Sequence, residues 1–488
     1  MDIRQIHWGD ESAEKDSHLL SYFVKSEALN RLTEKRKSII VGRKGAGKSA
    51  LLKKLNQTFN ENDIYTINLT PNENSIRSIL NDSDIIDSFG VEIFFQYAWL
   101  RYIYLEIAMF LGSNPTGEQL SARCRNFYLQ EHRGKRDIIE TVKSLLTRIK
   151  IKAGKLGDLG IDLEKEIFNA CEIETIEGII QEIYDIHSIQ IIVLVDDLDL
   201  GWDNSTTSND MLLGLLSASA RIQSKFHSIF PIISLREDIY SILMSKTQHA
   251  DKFRNIEKIR WTKDNLINVL DERIKYNFSQ DAPEQNSESQ YFFHLVFPQT
   301  IGTSNTDNWL IERTLSRPRE LIQFARLYTE LVEGNRPDVE KLKEAESIYS
   351  QMKLDDVCSE FSHQYPDLDK VMDYWSSKLR RKKYHLKYDE IGEMIFDIFE
   401  KCNCNAQWFL TLKKEADIDG FLKILYEVGI IGDFILGGAG GSRTVYEYET
   451  VKGTPTFDEI QIHPCFRIAL DTVQRIRKTS SPVNQPDE

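Results

Sequence analysis

The run Gly42-Arg43-Lys44-Gly45-Ala46-Gly47-Lys48-Ser49 has the spacing G-x-x-x-x-G-K-[ST] of a phosphate-binding loop. Glycines let the backbone curl so that successive N–H groups face an anion, and the helix that follows adds partial positive charge at its first turn. On this reading Gly42 through Ala50 cradle the phosphates of a nucleotide, Lys48 reaches the β- and γ-phosphates, and Ser49 holds Mg2+. The competing reading is a glycine-rich turn whose lysine is merely solvated. The flanks favour the first: Ser38-Ile39-Ile40-Val41 reads as a short strand, and the segment after Lys48 repeats its apolar residues with a helical period.

Such a loop needs a carboxylate to anchor the metal. The β-branched run Ile189–Val195 ends in Asp196-Asp197-Leu198-Asp199, which makes Asp196 the metal-side residue and Asp197 the candidate base toward the attacking water. Asp197 or Asp199 serves equally to cap the following turn. A third strand, Ser228–Leu235, delivers Arg236, placed either to sense the γ-phosphate or to pair with Glu237 or Asp238. Arg317 and Arg319 open a helix for which Ser316 reads as the N-cap and Pro318 as a first-turn residue. From there a guanidinium either reaches across a nucleotide or stays solvated at a helix end. Arg254 and Arg260 are candidates for a finger toward a neighbouring subunit, and no periodicity picks one.

These residues need a scaffold. Short apolar strands alternating with helices predict an α/β domain with a parallel sheet that binds ligands at its carboxyl ends. The acidic strand is expected beside the first strand, with further strands at Tyr65–Leu69 and Ile256–Trp261. A long, mostly helical insertion is expected at about 70–187. Within it Val91–Leu111 carries Glu92, Arg101 and Glu106, too costly for hydrocarbon, and reads as a buried or interface helix. From Asp264 to about 380 the pattern is helical. Helices near Tyr388–Lys401 and Ile418–Val428 then precede strands at Ile430–Leu436, Val445–Thr450 and Glu459–His463. The glycine-rich turn Gly437–Gly441 between the first two suggests a winged helix. The expected domains are an ATPase-type core at 1–262, a helical lid at 263–383, a winged helix at 384–478 and a frayed tail at 479–488.

Lys378, Arg380, Arg381, Lys382, Lys383 and Lys387, with Tyr384 and Tyr388 among them, form the one concentrated basic segment. It reads as a contact for nucleic-acid phosphates or as a solvated face, and Arg443 near the glycine-rich turn is a second candidate. Globally the balance is acidic: 61 basic against 75 acidic residues in 488 give a net charge of −14, which disfavours non-specific clinging to nucleic acid or anionic lipid. Six scattered cysteines fit reduced thiols, and Cys402 and Cys404 lack the spacing of a zinc site. The charged N-terminus has no apolar signal core, so a cytoplasmic location without membrane attachment is expected.

Together, the GRKGAGKSA loop, the VLVDDLDLGW strand end, the SLREDIY segment and the SRPRELIQFAR helix start resemble the FunZ-like bacterial P-loop ATPases, relatives of AAA+ and STAND ATPases, over about residues 8–475. The opening WGDESAEKDSHLLSYFV is similar to that family's lead-in, which packs near the adenine. The resemblance implies an ATP- and Mg2+-dependent oligomeric ATPase, Arg236 at sensor 1 and Arg319 at sensor 2, and a partner effector in antiphage defence. Asp-Asp stands where many AAA+ motors have Asp-Glu, which implies slow, switch-like turnover. The alternative reading is an ATP-gated DNA-binding regulator or loader resembling initiator or transposition ATPases. A small-molecule kinase fits poorly with so long a lid and wing.

Overall fold

The computed structural model describes residues 2–71, 91–113, short stretches between 122 and 145, 172–281, 291–437, 441–449 and 454–474. Parts of the helical insertion, the middle of the glycine-rich turn and the C-terminal tail lie outside the described residues. The chain divides into two compact units, Ser12–Arg260 and Met1–Glu11 together with Trp261–Glu488.

The first unit comprises α1 (Glu27–Thr33), β1 (Ile39–Gly42), α2 (Lys48–Glu61), β2 (Tyr65–Leu69), α3 (Val91–Ser113), α4 (Ile173–His187), β3 (Ile191–Val195), α5 (Thr206–Lys225), β4 (Ile229–Arg236), α6 (Glu237–Lys246) and β5 (Ile256–Lys258). Its strands form one parallel sheet in the order β2-β3-β4-β1-β5. β1 and β3 are buried at every position, which is why they read as unbroken apolar runs rather than alternating ones. One expectation is corrected: β3 is not beside β1, because β4 lies between and pairs Ile233 with both Ile39 and Val195. Hydrophobicity marks a strand as central but does not choose its neighbours; the crossovers do. β5 also ends earlier than expected, at Lys258.

Across α3, Phe94, Phe95, Ala98, Trp99 and Ile103 are fully buried, as the apolar run predicted. α3 packs on α5 at Gly214, where a Cβ would stand 2.5 Å from the Phe95 Cβ and 2.8 Å from the Gln96 nitrogen, so the crossing requires glycine.

In the second unit, α7 (Lys263–Asp281), α8 (Phe293–Val296), a hairpin of β6 (Thr300–Ile301) and β7 (Ser304–Asn305), α9 (Thr306–Glu312), α10 (Pro318–Leu331), α11 (Val339–Glu360) and α12 (Leu368–Leu379) form the helical part. The N-terminal segment is tied to it. The Trp8 indole donates to Thr329 Oγ1 at 3.0 Å, and Arg273 donates to the Trp8 carbonyl at 3.1 Å. The start of α10 departs from expectation by one residue. Arg317 is the N-cap and Pro318 takes the first helical position, because Ser316 is left-handed (φ 56°).

The remainder holds β8 (His385–Lys387), α13 (Tyr388–Lys401), α14 (Gln407–Glu415), α15 (Ile418–Glu427), β9 (Ile431–Ile435), β10 (Arg443–Val445) and β11 (Glu459–Ile462), with an antiparallel sheet ordered β10-β9-β11-β8. β8 and α14 were not expected. The strand expected at Val445–Thr450 instead ends at Val445, where a turn from Tyr446 to Glu449 stops it. Among the described residues no helix is long and apolar enough to cross a membrane.

Candidate functional site

The site residues of the first unit gather at the carboxyl ends of β1, β3 and β4. β1 ends at Gly42, and the loop from Arg43 turns back with the Ala46 N–H donating to the Arg43 carbonyl at 3.1 Å. Gly45 and Gly47 take positive φ, 77° and 91°, and Gly47 is the N-cap of α2, a backbone conformation that L-residues with a Cβ rarely hold. Lys48 and Ser49 therefore open α2. The Lys48 ammonium donates to the carbonyls of Gly42 at 3.1 Å and Arg43 at 3.3 Å, folded over its own loop. Burial pushes its pKa down, against the attraction of Asp199 and Asp196. Arg43 is buried and Lys44 exposed.

The sheet register brings the acidic segment to this loop. Val195 pairs with Ile233, so Asp196 leaves β3 beside Ser234, while Ser234 pairs on its other side with Ile40 of β1. Burial pushes the Asp196 carboxyl up, opposed by the hydroxyls of Ser234 and Ser49 and by the Lys48 ammonium. Ser49, Asp196 and Lys48 thus meet although 146 residues lie between Ser49 and Asp196 in sequence. Asp197 adopts a left-handed backbone (φ 56°). Its carboxyl is pushed up to about 6, by burial first and then by the charges of Asp196, Glu14 and Asp199.

Arg236 ends β4 paired with Gly42, next to the loop. It is already engaged, donating to both carboxylate oxygens of Asp238 at 3.1 and 2.6 Å, with Asp199 at 3.8 Å. The ion pair weighed from the sequence therefore exists, with Asp238 and not Glu237 as its partner. Arg260 is likewise bound to Glu237 at 2.8 and 2.9 Å, whereas Arg254 is exposed.

In the second unit the two arginines of the α10 start differ. Arg317 is buried, 2.8 Å from Glu360 and 3.5 Å from Glu320; burial opposes its charge, and the two carboxylates more than offset that, raising its pKa. Arg319, half-buried, enters no ion pair among the described residues. In the basic segment, Lys378 pairs with Asp397 at 2.7 Å and Arg380 with Asp471 at 3.3 Å, while Arg381, Lys382 and Lys383 are exposed.

One residue near the site escaped the sequence reading. Glu14, in the lead-in, lies within electrostatic reach of Asp197. Nothing in its spacing announces it, because the turn that carries it is fixed by a tertiary bond from Lys53 to the carbonyls of Ala13 and Asp16.

Residues 264–358 match the FunZ-associated C-terminal helical domain. That stretch runs from the start of α7 into α11. The transposon gamma-delta 80.3 kDa protein of Escherichia coli (strain K12) is 24% identical over 492 residues, covering 95% of this chain and 67% of its own length. The solved structure of the Aeropyrum pernix ORC2 protein (ADPNP-ADP complexes) aligns with 91% of this chain and 89% of its own at 11% identity and a TM-score of 0.39. The match over α7 to α11 bears out the likeness read from the sequence: this chain resembles the FunZ-like P-loop ATPases and carries their helical domain at 264–358.

Proposed function

We propose that the protein is a Mg2+-dependent ATPase of slow turnover that acts as an oligomeric switch on a partner effector in antiphage defence. The observation that carries this reading is the meeting of Lys48, Ser49 and Asp196 at the mouth of a loop whose two inner glycines are left-handed. The residues suit the ion. One carboxylate beside one hydroxyl offers hard oxygen ligands, and Mg2+ in such sites draws its remaining ligands from water and substrate phosphates.

Ser49 and Asp196 would hold the ion, which when bound neutralises charge on the β- and γ-phosphates. Lys48 releases its two carbonyls to meet those phosphates. Asp197, poised near 6, takes the proton of the attacking water. Arg236 trades part of its pairing with Asp238 for the γ-phosphate, and Arg319 is the lid residue. Turnover of ATP is measured for the wild type and for Asp197→Asn, with ADP binding measured in parallel. Binding retained and turnover reduced at least tenfold is expected; equal turnover removes Asp197 from the chemistry.

A second reading has one observation of its own. The exposed Arg381-Lys382-Lys383 turn, together with a relative named for a transposon, favours an ATP-gated DNA binder with a winged helix over β8 to β11. Neutralising these three residues then weakens duplex binding and lowers its salt slope by about 2–3 units, near 0.9 per phosphate contact. An unchanged slope removes this reading.

A further inference from the structure

We infer that Ser234 is a positioning residue for the metal-holding carboxylate: its hydroxyl, inside the sheet, donates to Asp196 and leaves the other carboxylate oxygen for Mg2+. The inference rests on the ATPase reading above and adds to that site a strand residue that belongs neither to the loop nor to the acidic segment.

The placement follows from the sheet. β4 pairs with β1 on one side and β3 on the other, and Ile233 stands opposite both Ile39 and Val195. Ile39, Val41, Val193, Val195, Ile233 and Leu235 all belong to the core that the sheet forms with α3 and α5. Side chains alternate along a strand, so Ile40, Leu194 and Ser234 turn to the opposite face. That is the face of α2, which packs on β1 and β3 with Leu52, Leu55 and Phe59 buried outside the α3 and α5 core. The alternation carries on to Asp196, because its N–H still donates to the Leu69 carbonyl of β2 at 3.1 Å and prolongs the ladder by one residue. Asp196 and Ser234 are therefore neighbours in register on adjacent strands, about 4.8 Å apart, with both side chains on the α2 face. Ser49 opens α2.

The two serines differ in what they can do. Ser49 is half-buried, whereas Ser234 is only 2% exposed and is the one polar residue in the run Ile229–Leu235. An ion arriving from solvent meets Ser49, and Ser234 acts through Asp196. The Ser234 hydroxyl is closed off from water and completes no hydrogen bond. Yet it stands close enough to Asp196 to oppose the rise that burial causes in the carboxyl's pKa, as a donor to the charged form does. A buried hydroxyl without a partner costs free energy that an alanine in its place would not. A bond to Asp196 in the loaded site accounts for it. Partners of this kind orient a metal-ligating carboxylate, and losing one lowers metal affinity about 10- to 100-fold.

The test uses the full chain with Ser234→Ala and Ser234→Cys, the second keeping nearly the same volume with only a weak donor. Affinity for ADPNP is measured in EDTA and in excess Mg2+, beside the Tm in EDTA without nucleotide. A fall of about 10- to 100-fold is expected for the magnesium complex in both variants, with the affinity in EDTA within twofold of wild type. The Tm of Ser234→Ala is expected to be no lower than that of wild type, which a merely structural hydroxyl would not allow. A fall of less than threefold for the magnesium complex overturns the inference, and so does an equal fall in EDTA. Wild-type affinity in Ser234→Cys also overturns it, because volume then replaces the hydroxyl as the cause. Wild type separates the two levels. If it binds ADPNP no tighter in Mg2+ than in EDTA, the Mg2+-dependent reading fails and Ser234 with it; if it gains affinity from Mg2+ and Ser234→Ala keeps the whole gain, only Ser234 is misassigned.

Discussion

Replacing Arg317 by methionine should destabilise the second unit severely, while the same change at Arg319, two residues on, should not. Arg317 and Lys353 face Glu320 and Glu360, two cations against two anions, with no side chain of the four more than 6% exposed. The set is neutral. Removing Arg317 leaves one negative charge uncompensated away from water, and breaking a buried ion pair in this way costs about 3–5 kcal/mol. For a unit of this size that corresponds to a fall of about 6–20 °C in Tm. Arg319→Met, with no ion pair to lose, should stay within about 0.5 kcal/mol. The assay is calorimetric unfolding of the full-length variants, with the double variant Arg317→Met/Glu360→Gln as the check, since removing one charge of each sign should recover most of the loss. A Tm for Arg317→Met within 2 °C of wild type, or no recovery in the double variant, refutes the electrostatic reasoning.

Gly214→Ala gains about 1 kcal/mol in helix propensity, yet its methyl group would overlap the α3 backbone, and overpacking of that kind costs about 1–3 kcal/mol. A lowered Tm is therefore expected, and a raised one would mean that α3 and α5 separate freely. Acid should weaken the first unit through Glu237, whose half-buried carboxyl is held down at about 2 because bonds from Arg260 and Lys258 more than reverse the effect of burial. A depressed carboxyl contributes its full stability above its ordinary value of 4.5 and loses it as pH falls from there toward 2. The amount is at most about 3 kcal/mol. Glu237→Gln should flatten the pH dependence of unfolding in that window, and an unaltered profile would contradict the assignment.

The loop and the strand ends were legible because their signals are local. Glycines at 45 and 47 and the apolar runs at Ile39–Val41 and Ile191–Val195 each constrain the backbone where they stand, and β2 falls where the sequence put it. What depends on partners distant in sequence was not legible. The order of β1, β4 and β3 is set by crossovers, and Arg236 pairs with Asp238 while the Glu237 carboxylate is taken by Lys258 and Arg260, more than twenty residues on. β8 was missed because three residues carry almost no periodicity, and it forms only by pairing with β11. Ser316 looked like a cap because its type is right; the left-handed turn that moves the cap to Arg317 is invisible in residue type alone.

Everything proposed for this chain requires a nucleoside triphosphate between Ser49 and Asp196. Titration calorimetry of wild type and Lys48→Ala with the magnesium complex of ADPNP tests this most directly. Losing a charge-assisted bond is worth about 1.5–3 kcal/mol, so a fall in affinity of about 10- to 150-fold is predicted for Lys48→Ala. Equal heat and equal affinity in the two proteins, or no heat in the wild type, would contradict it.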